Sequence, residues 1–478
     1  MTKRLTDFVK KSMIYRYLNA VHLQFLQESV IKMGKDRKKK IDEMSAVLHK
    51  FYHGDTMVIP RCWTKTIDGV NLFEWAYTPG VAEACREIIK DQAKVYDLTD
   101  KSNRVLIISN GTRVLGLGDI GPWAGEPVME GKALIFNFLG GIDAMSLSLK
   151  TKDPDEFINI VKNITPSVGG INLEDIKKPD CFYILNKLHN ELEIPIWHDD
   201  QQGTAAVTLA AIINGLKVVG KKIEEARFVI IGLGAANTAL MRMLIPAGAK
   251  PGNIIIVDSR GILHRDRFDI KNGNPRNGEE EKWQYAKITN LKCLSGNADK
   301  ALRGADIAVS YSAAKENSVN SKWVKKMASR AIFIAGENPV PSIWPEDLRR
   351  SGVEIVCTGR GDYPNQCNNS LIFPAVFRCA LDVRASKITM EMTVAASKAV
   401  AEYQEKKGLC PKRILPSMNE VGVFIEEAVF VGMKAIEQGI AQKPMNEEKL
   451  RKTVESKISL VRNIIKSLMK EKLIKKYK

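Results

Sequence analysis

The chain has 478 residues, 45% of them hydrophobic and 27% charged, an ordinary soluble composition with length for about two to three domains. Its net charge is +17, yet 11 Lys/Arg against 3 Asp/Glu in residues 1–40, and 11 against 2 in residues 449–478, account for all of it. The body is therefore near neutral, which speaks against a nucleic-acid partner, and no uninterrupted apolar run approaches the roughly 18 residues of a membrane span.

In chain order, residues 1–47 form a basic N-terminal extension, expected to be helical, with apolar positions at Phe8, Ile14, Leu18, Phe25 and Val30. Five Lys/Arg against one acid in the first 20 residues leave organelle targeting as a minor alternative to a plain basic helix. Residues 48–200 have a mixed α/β pattern, with short strands expected at 105–108, 134–138 and 181–184. From 201 to 385 the order is regular: a helix at 203–219, a strand at 227–231, a glycine turn, a helix from 238, and strands at 253–258, 307–310, 331–335 and 353–357. Strands separated by helices predict a parallel, doubly wound sheet. Residues 386–478 are helical again, and Leu450, Val454, Ile458, Val461, Ile465, Leu468 and Met469 share one face. On a monomer that face is expected to be open, which predicts a role for the tail in assembly. The eight cysteines lack any Cys-x-x-Cys pair, a pattern of reduced thiols and a cytoplasmic location.

Two glycine stretches compete for a dinucleotide. Gly116-Leu-Gly118-Asp-Ile-Gly121 fits the pattern better, but Pro122, Gly125 and Pro127 follow it and disfavour an immediate long helix. Gly232-Leu-Gly234-Ala235-Ala236-Asn237 follows an apolar strand, opens a helix, and precedes a second strand ending on Asp258. A helix N-terminus holds the pyrophosphate and the acid meets the ribose hydroxyls, so the second stretch is the predicted cofactor loop of a Rossmann-type domain. Asn237 replaces the third glycine of the motif.

Glu174-Asp175 and Asp199-Asp200 are adjacent acids. Such pairs repel unless a cation or solvent neutralises them, and hard oxygen ligands suit Mg²⁺ or Mn²⁺. A solvated loop or a helix N-cap at Asp200 fits the same residues. The amide-rich run Asp362-Tyr-Pro-Asn365-Gln366-Cys-Asn368-Asn369 suits either carboxylate recognition or a turn with local backbone bonding.

Six stretches together carry a resemblance. They are Tyr77-Thr-Pro-Gly-Val-Ala, Val114-Leu-Gly-Leu-Gly-Asp-Ile-Gly, Gly131-Lys132-Ala, Gly170-Ile-Asn-Leu-Glu-Asp, His198-Asp-Asp-Gln-Gln-Gly-Thr-Ala-Ala and Asp362-Tyr-Pro-Asn-Gln. In order and spacing over roughly residues 48–400 the chain resembles malic enzymes, most of all the shorter bacterial-type form. The resemblance implies a substrate domain (48–200), an NAD(P)-binding domain (201–385) and oxidative decarboxylation of L-malate to pyruvate and CO₂ with NAD or NADP and Mg²⁺ or Mn²⁺. It implies Tyr77 as general acid, Lys132 as general base, and Glu174, Asp175 and Asp200 as metal ligands with Asp199 behind them. Asn338 and Asn369 would hold malate, as would Arg113, which larger forms of the family use. Asn338 also belongs to the expected cofactor contacts, with Gly232, Gly234, Ala235, Ala236, Asn237, Asp258 and Arg260.

In the implied reaction Lys132 must be neutral to take the C2 hydroxyl proton, and Tyr77 protonates C3 of the enol. Asp258 favours NAD⁺, while Arg260 suits a 2′-phosphate, so both cofactors are expected to bind. The partners expected are malate and further copies of the chain, as a homodimer or larger, without nucleic acid or membrane. One departure stands out. Where the family has a Gly- and Pro-containing turn, the chain reads Ser310-Tyr-Ser-Ala-Ala-Lys315. Two other readings fit parts of the pattern: malolactic chemistry, which retains the nicotinamide and yields lactate, and a non-catalytic dinucleotide binder acting through its basic tails.

Overall fold

The structure, a computed structural model, describes residues 81–271, 279–312 and 318–476. Residues 84–462 form one compact unit; residues 1–83 and 463–478 form another. The predicted extension 1–47 and Tyr77 lie outside the described residues. The described chain opens on helix α1 (Val81–Lys90).

Two parallel sheets organise the larger unit. The first has the order β2-β1-β3-β4, from β1 (Arg104–Ser109), β2 (Asp143–Ser148), β3 (Gly170–Glu174) and β4 (Ile196–His198). The helices between its strands are α2 (Gly121–Gly140), α3 (Pro154–Ile164) and α4 (Asp180–Glu191). The second sheet has the order β10-β9-β8-β5-β6-β7. Its strands are β5 (Phe228–Ile231), β6 (Ile254–Asp258), β7 (Gly261–Ile262), β8 (Ile307–Ser310), β9 (Ile332–Ala335) and β10 (Ile355–Thr358). All its pairs are parallel except β6 with β7.

Strand periodicity explains how the sheets meet. Val105 and Ile107 of β1 face the same central core as Phe228 and Ile230 of β5, Ile332 and Ile334 of β9, and Ile355 of β10. Their alternates face outer cores, Leu106 and Ile108 in one and Val229 and Phe333 in another. Successive strand residues point to opposite faces, so a strand covered on both sides reads as a continuous apolar run. Helix α5 (Gln202–Val219) runs through the central core, and 78% of it is buried. It is long and apolar enough to cross a membrane. A helix apolar all round is what a core between two sheets requires.

Two expected strands are helices. Residues 134–138 lie in α2, where Met129, Lys132, Phe136 and Leu139 are buried at helical spacing while Leu134 is 63% exposed. Residues 181–184 lie in α4, where Cys181, Ile184, Leu185 and Leu188 form the buried stripe. Periodicity cannot assign an apolar run this short. Nor do Pro122 and Pro127 prevent a long helix after Gly121, because α2 begins there with a proline in its first turn. A first-turn N–H has no helical acceptor, so Pro122 forfeits nothing.

Residues 386–478 are helical as expected, but the apolar face expected to be open is partly covered. Helices α8 (Phe373–Asp382), α9 (Met390–Lys406), α10 (Val421–Glu437) and α11 (Glu447–Lys470) follow the second sheet. Residues Leu450, Val454 and Ile458 of α11 enter the central core beside α8 and α10. The first half of that apolar face is thus covered by the chain itself, and removing 449–478 would open the core.

One buried group runs against this packing. Glu427 on α10 is fully buried, and neither carboxylate oxygen has a hydrogen-bond partner among the described residues. Burial pushes its carboxyl well above the usual carboxylate range. The folded state therefore binds the proton that the unfolded state releases above its ordinary pKa near 4.5. Stability associated with this group is complete below that value and falls as pH rises toward the folded one. Glu427→Met is expected to raise the melting temperature, and to raise it more at pH 8 than at pH 5. An equal shift at both pH values in calorimetry would exclude this account.

Candidate active site

The acids meet at the carboxyl ends of β3 and β4. Glu174 is the last residue of β3, and Asp175 follows in a left-handed conformation with φ 54°. β4 ends at His198, Asp199 and Asp200 follow, and α5 begins at Gln202. Because β3 and β4 are neighbours, carboxylate oxygens of Glu174, Asp175 and Asp200 come within 4.8 Å of one another. The Asp175 N–H donates to Asp200 Oδ2 at 2.9 Å, while Asp175 Oδ2 is buried without a hydrogen-bond partner among the described residues. Burial and the neighbouring acids push the Glu174 and Asp175 carboxyls well above their usual range. His198 is equally constrained: neither ring nitrogen has a hydrogen-bond partner among the described residues, Nδ1 lies 3.7 Å from Asp200 Oδ2, and burial pulls the pKa down to about 4. Three converging carboxylates with an unmet buried oxygen fit a hard divalent cation.

Lys132 reaches this cluster from α2. Its ammonium pairs with Glu174 Oε1 at 2.7 Å and with Asp199, and lies 4.5 Å from the centre of the Phe373 ring. Asp199 is fully buried and also accepts from Trp197 Nε1 at 2.9 Å. Gly203 is forced by this packing, since a Cβ there would lie 1.9 Å from Asp199 Oδ1 and 3.1 Å from the Asn369 Cβ. Burial alone would lower the Lys132 pKa, but Asp199, Glu174 and Asp200 more than offset it and hold the amine protonated. The neutral lysine expected for a base is therefore not its state in the chain alone.

The glycine crevice lies at the end of β5. In the sheet order, β6 lies on one side of β5 and β8 on the other, which makes the carboxyl end of β5 the topological switch point. Gly232 has φ 82°, and a Cβ on it would stand 3.3 Å from the Ser312 Cα and the Tyr311 carbonyl oxygen. Helix α6 (Ala235–Leu244) opens immediately after Gly234, so Ala235 and Ala236 lie in its first turn. Asn237, in the place of the third glycine, is fully buried and donates through Nδ2 to the Ile231 and Gly232 carbonyls at 3.0 and 2.7 Å. Its amide braces the loop. Ala235 packs on the core under the first sheet, and Lys178 Nζ donates to the Leu233 carbonyl at 3.1 Å. These two contacts tie the glycine loop to the part of the chain that carries the acid cluster.

Residues 62–189 match the malic enzyme N-terminal domain, and residues 201–339 and 351–436 match the malic enzyme NAD binding domain. The chain belongs to the malic enzyme family. It is 46% identical over 368 residues to an NAD-dependent malic enzyme of Geobacillus stearothermophilus, covering 77% of this chain and 74% of that one. It is 42% identical over 387 residues to an NADP-dependent malic enzyme of Escherichia coli. The alignment spans about half of that longer relative, 49% of it, and 77% of this chain. Among solved structures, a malic enzyme from Entamoeba histolytica superposes with a TM-score of 0.89 at 39% identity, covering 94% of this chain and 93% of that one.

Within this malic enzyme fold the remaining predicted residues divide. Arg113 is exposed, and its backbone N–H donates to the Asp175 carbonyl at 3.0 Å; its charge helps to lower the Asp175 carboxyl against burial. Asn338 donates to the Gly359 carbonyl at 3.1 Å. In the amide run Asn365 is structural, bonding Val356, Pro411 and Ile414, and Asn368 caps Ser370. Asn369 is the member beside Asp199 and Gly203.

At the ribose end, Asp258 is not a free acceptor. Its two oxygens lie 3.3 Å from the Arg267 guanidinium, one lies 3.1 Å from Lys282 Nζ of α7 (Glu279–Ile288), and one accepts the Arg260 N–H at 2.9 Å. Burial opposes ionisation, but these donors together hold the carboxyl below its usual range. The Arg260 side chain is 71% exposed and pairs with Asp269 at 3.0 Å. Arg267 and Lys282 were not legible as partners, since nothing in a linear pattern marks a cation 9 or 24 residues away. Nor does anything in the sequence mark Glu337. It is buried beside Asn338 and accepts from Ser310, Ser312 and Ser342, which anchors the turn that departs from the family pattern.

Proposed function

We propose that the chain oxidises and decarboxylates L-malate to pyruvate and CO₂, reducing NAD⁺ or NADP⁺. The observation that carries the reading is one buried lysine, Lys132, paired with Asp199 and with Glu174 of the converging Glu174, Asp175 and Asp200 carboxylates, in a chain that also holds a glycine crevice. A pure dinucleotide binder has no use for such a cluster. Glu174, Asp175 and Asp200 would hold Mg²⁺ or Mn²⁺, which when bound polarises the C2 oxygen and stabilises the enolate left by CO₂. With the acids that keep Lys132 protonated balanced by a cation, the Lys132 amine would be free to take the C2 hydroxyl proton. The Gly232 loop and the first turn of α6 would hold the nicotinamide cofactor, whose chemistry when bound is to accept a hydride.

Asn369 and Arg113 orient the malate carboxylates, and Tyr77 returns a proton to C3. With Asp258 engaged by Arg267 and Lys282, its repulsion of a 2′-phosphate is offset, which supports use of both cofactors. Assembly as a homodimer or larger is supported by Trp123 and Leu134, both on α2 and 81% and 63% exposed. The deciding assay supplies purified full-length chain with L-malate, Mn²⁺ and either cofactor. Pyruvate and reduced nicotinamide are expected in equal amounts. Lactate without net reduction would favour the malolactic reading, and absence of turnover with both cofactors would overturn the proposal.

A further inference from the structure

The turn after β8 places Tyr311 where the cofactor crevice meets the core. The Tyr311 N–H donates to the Ile231 carbonyl, and its own carbonyl lies 3.3 Å from where a Gly232 Cβ would be. Its ring occupies the space beside Gly336, where an added Cβ would meet the ring at 2.1 Å. The phenol oxygen then reaches across to α5 and lies 2.6 Å from Thr208 Oγ1.

The direction of that hydrogen bond follows from proton count. Thr208 Oγ1 donates to the Thr204 carbonyl at 2.7 Å. A hydroxyl has one proton, so Tyr311 must be the donor. The Thr204 N–H in turn donates to the Asp199 carbonyl at 3.1 Å, and Asp199 pairs with Lys132. A short series of directed contacts therefore joins the floor of the cofactor crevice to the acid cluster. Thr208 is fully buried.

We propose that Tyr311 is a positioning residue that couples occupancy of the nicotinamide crevice to divalent-metal binding at Glu174, Asp175 and Asp200, through Thr208, Thr204 and Asp199. The proposal rests on the reading that the Gly232 crevice takes a nicotinamide dinucleotide. It assigns a role to the segment in which this chain departs from its family. A tyrosine that merely filled space would need its ring and not its hydroxyl.

The test measures coupling and needs no turnover. The dissociation constant of reduced nicotinamide cofactor is read by its fluorescence, with and without saturating Mg²⁺ and without malate. In the wild-type chain Mg²⁺ is expected to change that constant by about fivefold or more. Tyr311→Phe keeps the ring and loses the donor, so the ratio should fall toward one. Thr208→Val should do the same, and the double variant should lose no more than either single one, as for two partners in one contact. An unchanged ratio in Tyr311→Phe, a wild-type ratio of one, or losses that multiply in the double variant would overturn the proposal. Failure of the wild-type chain to oxidise malate would count against the functional reading and leave this measurement intact.

Discussion

Lys132→Arg is expected to reduce malate turnover by at least about 10²-fold, the usual worth of a positioned general base, while cofactor affinity changes little. The substitution is chosen for its electrostatics. Lys132 is 7% exposed and neutralises Glu174 and Asp199. Lys132→Ala would leave those carboxylates buried and unpaired, at about 3–5 kcal/mol, so its inactivity could reflect unfolding. Arginine keeps the charge and cannot release its proton under any condition the fold survives. It separates the base from the ion pair. The retained charge should hold the melting temperature near that of the wild type, and reduced-cofactor fluorescence should report an intact crevice. Turnover in Lys132→Arg within a few-fold of the wild-type rate would remove Lys132 from the chemistry.

The same residue shows why sequence reaches only part of the way. Position 132 is legible as a candidate only through the family resemblance, because a lysine after a glycine has nothing in its spacing to mark it. Its neighbours in space, Glu174 and Asp199, lie 42 and 67 residues along the chain, and only the pairing of β3 with β4 and the packing of α2 bring them to it. The second sheet was far more legible. Its strands are covered on both faces and bounded by turn residues, so predicted and observed limits differ by two residues or fewer at β5, β6, β8, β9 and β10. In the first sheet β1, expected at 105–108 and observed at Arg104–Ser109, was legible, and the other strands were not. Its β2, Asp143–Ser148, is an edge strand with no fully buried residue, which gives weak apolar signal, and the apolar runs that looked like strands belong to α2 and α4.

Polar partners were the least legible of all. Asp258 reads as a bare acid at the end of a strand, and only the folded chain shows Arg267 and Lys282 on its two oxygens. The sequence marks the segment after Val309 only as a departure from an expected Gly- and Pro-containing turn. In three dimensions Glu337 gathers three serines there and Tyr311 spans the gap to α5. Hydrogen bonds of this kind depend on which elements meet, and linear spacing holds no record of it.

Metal removal should be as severe as loss of Lys132. The chain treated with EDTA is expected to be inert toward malate and to recover with Mn²⁺ or Mg²⁺, because the cluster places four carboxylates, Glu174, Asp175, Asp199 and Asp200, around one ammonium. That imbalance has a signature in stability as well. Like charges at this range destabilise the chain alone, so adding metal should raise the melting temperature, by an amount that corresponds to about 2.7 kcal/mol at a hundredfold excess over the dissociation constant. Asp200→Asn removes one charge and one ligand oxygen together. It should therefore melt higher than the wild type without metal and gain less on metal addition, while its cofactor affinity without metal stays near normal. The opposite signs of the two shifts separate a lost ligand from general damage, which would lower both melting temperatures. Full activity after exhaustive chelation, or an Asp200→Asn chain that gains as much from Mg²⁺ as the wild type, would show that these acids hold no catalytic cation.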